Sequence, residues 1–235
     1  MIACLNDADL YERDASLYGN GQWLNSPCIF FSFRHWELEA DRLDQLALHG
    51  IMLVDPSVVS YFRFQISDEE ERNDFQSGSG FMDKEWLLIP VNNASSLFDS
   101  GSHWSLLVYH KATSTGFHLD SMGGANNASA QHTLDKLLFC LNVDTSASSG
   151  TSIIQVDCPR QEEGYNCGVF AILFAFHLCT HLCCGDESEL KVGRKERNVG
   201  QMATRLGKAV THINTNRANE YREHMRAEIE KMRAK

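Results

Sequence analysis

Apolar residues recur along the chain with helical and strand periods, and the switches between the two mark out its elements. Asp157 to Gly164 has no apolar periodicity, and Cys167 then opens a run of ten almost wholly apolar residues that ends at Phe176 and is closed by His177. A segment apolar on every side belongs in a core, and one this short does not span a bilayer. Trp23-Leu24-Asn25-Ser26-Pro27 predicts a helix start, with Asn25 or Ser26 as cap and proline at the first position, leading into the apolar run Cys28 to Phe33. Asp55-Pro56-Ser57 predicts a shorter helix through Tyr61 and Phe62. Between them, Leu43, Leu46 and Leu48 suit a connecting helix, and Ile51 to Val54 a brief strand.

Gln65 to Lys84 is acidic, then Ser/Gly-rich, and is expected to be an exposed loop. Trp86 to Val91 reads as a strand buried on both faces, with Pro90 marking an edge or a bulge near its end. After a Ser/Gly-rich stretch come strands His103 to Tyr109 and Gly116 to Ser121, joined by a short turn. Leu134, Leu137, Leu138 and Leu141 have helical spacing, and Ile153, Ile154 and Val156 form the next strand after a Ser-rich loop, Asp144 to Thr151. Beyond the Cys167 helix lie a charged stretch, Lys191 to Arg197, and two helical patterns through Met202, Leu206, Val210 and through Tyr221, Met225, Ile229, Met232. The last is a solvated or partner-facing helix, or a core element. Helices mixed with antiparallel strands point to an α+β fold. The expected organisation is a single domain over residues 1–235, with 214–235 as a C-terminal helical tail.

The charge balance, 21 Lys plus Arg against 31 Asp plus Glu for a net −10, argues against nucleic-acid binding by phosphate neutralisation. The first thirty residues carry acids where a secretory leader needs a basic start and an apolar stretch, so the expected location is cytoplasmic or nuclear, with no membrane partner. Eight cysteines show no framework spacing and are expected as free thiols. His177, His181 and Cys184 stand at i, i+4 and i+7 and offer three zinc corners without a fourth; the alternative is an ordinary helix face. No metal and no cofactor is expected.

The candidate chemistry begins at Cys167, whose place in the first turn of a helix puts unpaired N–H groups and the helix dipole beside its sulfur. A small buried core cysteine is the plain alternative. A turn centred between Lys111 and Ala112 would set His103 directly opposite Asp120, with Cβ atoms about 4.5–5.5 Å apart. Alternation then gives Trp104, Leu106, Val108, Phe117 and Leu119 one apolar face, and His103, Ser105, His118 and Asp120 the other. His103 and Asp120 are otherwise half-exposed polar residues of a solvated face. A thiol needs a base and the base needs an acceptor that fixes its tautomer; Cys167, His103 and Asp120 supply those roles. Gln161, on the same loop as the nucleophile, offers an amide for the oxyanion together with the Cys167 backbone N–H.

Three stretches, G-S-H-W-S-L-L-V-Y, F-H-L-D-S and Q-E-E-G-Y-N-C-G-V-F, resemble the ubiquitin-like-protein-specific cysteine proteases, the SUMO proteases and deneddylases. Trp23-Leu24-Asn25 matches the N-terminal marker of that family, and the wording from His103 to Tyr109 looks most like its deneddylating branch. The resemblance implies a papain-like α+β fold with an antiparallel central sheet and a buried helix starting at the nucleophile. It implies hydrolysis after the C-terminal Gly-Gly of a ubiquitin-like modifier, of neddylation type or else SUMO, with that modifier and its conjugates as partners. It also implies His103 as base, Asp120 as its orienting acid, Cys167 as nucleophile, Gln161 at the oxyanion, and Trp23 and Trp104 as walls of a diglycine channel. Two indoles beside an extended chain admit glycine and exclude residues with a Cβ.

The sequence departs from the family pattern in having Ser26-Pro27 after the marker, Glu163 two positions after Gln161, and Asn166 before Cys167, where the family usually has Asp, Asn and Asp. A triad-bearing acetyltransferase and an inactive modifier-binding module are the more distant readings.

Overall fold

The computed structural model describes residues 1–39, 42–144, 152–184 and 198–234. The Ser-rich loop expected after Asp144 and the charged stretch Lys191 to Arg197 fall outside the described residues.

A small antiparallel pair, β1 (Ala3–Leu5) and β2 (Ala8–Leu10), and one helical turn, α1 (Glu12–Ala15), open the chain. Next, α2 (Ser26–Glu37) starts where its sequence predicts: Asn25 is the cap, its side-chain oxygen accepting from the Cys28 N–H at 3.1 Å, and Pro27 needs no N–H partner in the first turn. The elements α3 (Arg42–Leu48), β3 (Ile51–Leu53) and α4 (Pro56–Phe64) also follow their sequence signals, with Asp55 capping α4 through the Ser57 N–H at 2.7 Å.

The expected loop from Gln65 to Lys84 is instead largely a helix, α5 (Glu69–Ser79), followed by a 3₁₀ turn at Phe81–Asp83. Asp68 caps it by accepting from the Glu71 N–H, and Glu69, Glu70 and Glu71 lie against the positive end of the helix dipole. Gly80, at φ 70°, ends it in the left-handed region. Phe75 is the helix's buried residue, packed edge-on against Phe62 and Phe81, so caps and one aromatic anchor do what an apolar stripe usually does.

The main sheet has the order β3–β4–β5–β6–β7, with β4 (Trp86–Asn92), β5 (Trp104–His110), β6 (Thr115–Leu119) and β7 (Ile154–Gln155). It is mixed, not wholly antiparallel: β4, β5 and β6 pair antiparallel, while β3 joins β4 and β7 joins β6 in parallel. The parallel strands arrive by crossovers, with α4 and α5 between β3 and β4 and α6 (Asn127–Cys140) between β6 and β7, all three on one face of the sheet. Pro90 is accommodated at an edge. The Leu88 carbonyl faces β3, accepting from the Val54 N–H at 3.0 Å, so alternation turns the Pro90 nitrogen to the same side, where β3 has already ended.

In the β5–β6 ladder His110 faces Thr115 and Leu106 faces Leu119, which centres the turn one residue later than predicted and moves every facing pair by two. A two-residue shift keeps each side chain on its predicted face. Trp104, Leu106, Val108, Phe117 and Leu119 accordingly share one core with Trp86 and Leu88. The helices on that side are α2, α7 (Cys167–Cys184), α8 (Val199–Val210) and α9 (Thr215–Arg233). Leu87, Ile89, Val91, Leu107 and Tyr109 point the other way, into a second core under α4, α5 and α6. With helices on both faces, β5 and β6 are buried along their whole length, so their polar positions are buried rather than solvated.

The helix α7 runs past His177 to Cys184, longer than the apolar run alone predicts. By length and a mean hydropathy of 1.9 it would cross a bilayer, but 72 % of it is buried in the fold, the role of a core helix. The C-terminal helix α9 is also a core element, burying Ala218, Arg222, Met225 and Ile229 at spacings of four, three and four.

Candidate active site

His103 sits just before β5, held by Asn93: the His103 N–H donates to Asn93 Oδ1 at 3.0 Å, and the His103 carbonyl accepts from the Asn93 N–H at 3.2 Å. Asp120 sits just past β6, where the chain turns. Its Oδ1 is 2.7 Å from His103 Nε2 and accepts the Met122 N–H at 2.8 Å, while Oδ2 accepts the Asn126 N–H at 2.9 Å. Both side chains are buried, at 5 % and 3 % exposure, which removes the half-exposed alternative.

Burial alone would raise the Asp120 pKa, but the bonds from His103 and from the Asn126 and Met122 N–H groups hold it down at about 2. Burial likewise works against a charged His103, and the Asp120 carboxylate, followed by the Cys167 sulfur, outweighs it and raises the ring to about 9. With Nε2 on Asp120, Nδ1 is the nitrogen left for Cys167; it is buried and makes no bond of hydrogen-bonding geometry, so the thiol is a neighbour of the ring rather than an aligned partner.

Behind Asp120 lies a hydrogen-bonded polar layer in which Asn126 Oδ1 is buried without a partner. Asn126 Nδ2 donates to the Val91 carbonyl at 2.9 Å and to Ser105 Oγ at 2.8 Å, and His118 Nε2 meets the same hydroxyl at 2.8 Å. Of these, Ser105 and His118 share the predicted polar face; Asn126, in the turn after β6, carries no periodic signal.

Cys167 is the first residue of α7 and 2 % exposed. The Asn166 carbonyl accepts the first helical bond, from the Phe170 N–H at 2.9 Å. Gly168 lets two side chains approach this first turn closely: a Cβ there would lie 3.1 Å from Leu24 Cβ and 3.5 Å from Trp104 Cδ1. Burial holds other thiols protonated, pushing Cys28 up to about 12 and both Cys140 and the half-buried Cys158 to about 11. All eight cysteines are free.

A cavity of about 290 Å³ opens onto Cys167, with Trp23, Ser26, Pro27, Gly101 and Trp104 in its lining. Trp104 is buried and its Nε1 donates to the Leu24 carbonyl at 2.9 Å; Trp23 is 52 % exposed and donates to the Gly164 carbonyl at 3.0 Å. The Trp23 indole therefore ties the α2 approach to the nucleophile loop, and the Trp104 indole ties the start of β5 to the same approach. Gln161 is fixed at the loop's other end: its N–H and Oε1 bond to the Ser121 carbonyl and hydroxyl, and its Nε2 donates to the Glu163 carbonyl at 2.6 Å. An amide carries two hydrogens, so one remains for a developing oxyanion.

The candidate zinc set does not converge. The His177 ring packs edge-on against His212, and among the described residues the donors close enough to share an ion are those of His35, Glu39 and His224.

The sequence profile of the Ulp1 protease family, C-terminal catalytic domain, matches residues 22–218, most of the chain. This chain belongs to the Ulp1 protease family. It is a cysteine-type peptidase of α+β, papain-like fold. Among its curated Ulp1-family relatives, NEDD8-specific protease 1 of Arabidopsis thaliana is 33 % identical over 165 residues, 69 % of this chain and 70 % of the relative. Probable sentrin-specific protease 8 of Dictyostelium discoideum is 26 % identical over 176 residues, 73 % and 72 % of the two chains. A crystal structure described as the de-sumoylating protease superposes with a TM-score of 0.63 over 98 % of this chain and 90 % of its own, at 15 % identity, which shows the shared fold.

Proposed function

We propose that this chain is a thiol protease that hydrolyses the peptide or isopeptide bond after the C-terminal Gly-Gly of a ubiquitin-like modifier, the neddylation modifier first. The observation that carries this reading is the cavity in which Trp23 and Trp104 flank Cys167. A slot between two indoles suits an extended backbone without Cβ atoms. The name of the Arabidopsis relative, NEDD8-specific protease 1, favours the neddylation modifier.

In the proposed reaction the Cys167 thiolate attacks the carbonyl of the last glycine, and the tetrahedral oxyanion is met by the second Gln161 N–H and the Cys167 backbone N–H. His103, charged through its bond to Asp120, gives its proton to the departing amine as the C–N bond breaks and a thioester forms. Water then enters, His103 takes its proton, and the thioester opens to a free carboxylate and the thiolate. A SUMO-type modifier is the second reading, kept because Ser26 and Pro27, which line the cavity, depart from the family pattern and so do not single out one modifier.

The test is a panel of ubiquitin, SUMO and the neddylation modifier, each bearing a C-terminal thiol-trapping warhead, offered to the chain and to Cys167→Ala. A Cys167-dependent adduct with the neddylation modifier is expected. Absence of any such adduct would sink the protease reading.

A further inference from the structure

Arg222 is fully buried, yet none of its bonding partners among the described residues is a carboxylate. Its Nε donates to Asn166 Oδ1 at 2.8 Å, Nη1 to the Leu17 and Gly19 carbonyls at 2.8 and 3.0 Å, and Nη2 to the Gln22 and Tyr165 carbonyls at 2.8 and 3.1 Å. A guanidinium has five N–H donors, and here five neutral oxygens take them. A buried charge persists only where its donors are satisfied, so the site is held by geometry rather than by an opposite charge.

The five acceptors belong to the two segments that build the cavity. Leu17, Gly19 and Gln22 lead into Trp23, and Tyr165 and Asn166 lead into Cys167. Two turns earlier on the same helix, the Thr215 hydroxyl donates to Glu163 Oε2 at 3.2 Å; that oxygen also accepts from Asn166 Nδ2 at 3.2 Å. The Glu163 carbonyl in turn holds the Gln161 amide. One face of α9 thus grips the whole loop from Gln161 to Asn166.

Both residues that depart from the family pattern on this loop belong to the network. With Asn at 166 the guanidinium touches an amide oxygen, and Asn166 Nδ2 in turn donates to the Glu163 carboxylate. The cation is therefore left un-neutralised beside the nucleophile's first turn. Burial lowers the Arg222 pKa from its ordinary value.

We propose that Arg222 is a positioning residue, setting the distance between the Trp23 wall and the Cys167 turn. The proposal rests on Cys167 being the nucleophile. A Cys167→Ala variant that kept turning over would remove that assignment without bearing on Arg222.

The test compares Arg222→Gln and Arg222→Lys in the full chain. Both kcat and KM on a fluorogenic modifier substrate are measured for the parent and each variant. Arg222→Gln is expected to lose about a hundredfold in kcat, the scale of an ångström-sized misplacement, with the loss in kcat rather than in KM. Arg222→Lys keeps the charge but not the five-point fork, so it is expected to lose roughly tenfold in kcat. A loss confined to KM, or parental kcat in Arg222→Lys, overturns the proposal, and Arg222→Lys decides alone if circular dichroism shows Arg222→Gln unfolded.

Discussion

His103 Nε2 and Asp120 Oδ1 meet at 2.7 Å although the two residues are not cross-strand partners. Continuing the observed register would place Ser105, not His103, opposite Asp120. The contact forms because both residues lie beyond their strands, where Asn93 pulls the His103 backbone inward and the turn after β6 brings the carboxylate across.

Replacing Asp120 by Asn should remove the group that holds the His103 ring at about 9. The ring would then titrate nearer its ordinary 6.5, so the alkaline fall in kcat/KM, expected near pH 9 in the parent, should move down toward neutrality. A loss in kcat of about 10⁴ matches the role of an orienting carboxylate. A pH–rate profile on a fluorogenic modifier substrate checks both. An unshifted alkaline limb would show that Asp120 does not set the ring's charge.

The same pair makes stability depend on pH in two windows. His103 is raised in the folded state, so its contribution is full below pH 6.5 and is lost as pH rises through about 9. Asp120 is lowered, so its contribution is full above its ordinary value and is lost as pH falls through about 2. In His103→Gln the decline in melting temperature between pH 7 and 9.5 should flatten relative to the parent, measured by calorimetry in matched buffers.

Gly168→Ala should separate stability from turnover. The new methyl meets Leu24 Cβ at 3.1 Å, so the cavity wall must shift by a few tenths of an ångström, while alanine improves the helix by about 1 kcal/mol. The expected result is a melting temperature within about 3 °C of the parent with kcat/KM down at least about tenfold. Unchanged kcat/KM would mean that the Leu24–Trp104 wall does not contact the substrate.

Phe75→Ala should detach α5 and little else. Phe75 is that helix's buried residue, and losing a buried phenylalanine costs about 3–5 kcal/mol, more than an exposed acidic helix can supply alone. Hydrogen exchange over residues 69–79 should accelerate strongly while kcat/KM stays within about twofold, because the Phe75 cluster lies on the face of the sheet away from α7. Retained protection there would show that the caps suffice.

Much of the fold is legible because its signals are local. Asn25 and Asp55 cap the helices they precede, and the alternation through Trp104 to Val108 names the face each residue takes, since both depend on backbone geometry over a few positions. The α5 helix is not legible: with one apolar anchor, Phe75, its period is invisible, and the Asp68 cap looks like one more acid in an acidic loop. Arg222 leaves a faint signal, as the one charged residue on the stripe Ala218, Arg222, Met225, Ile229. Reading the same helix through Tyr221 and Met232 hides it.

The sequence by itself determined most of the elements though not α5, the two faces of the β5–β6 hairpin, and the residue types from which a thiol, an imidazole and a carboxylate are drawn, because periodicity and capping act within a few residues. Only the tertiary structure decided the register beyond parity, the mixed order of the sheet, and which distant segments close around Cys167. The bond from Arg222 to the Leu17 carbonyl spans 205 positions of chain, and its partner is a backbone oxygen that every residue carries. Such contacts are selected by how packed surfaces fit, and no local pattern encodes them.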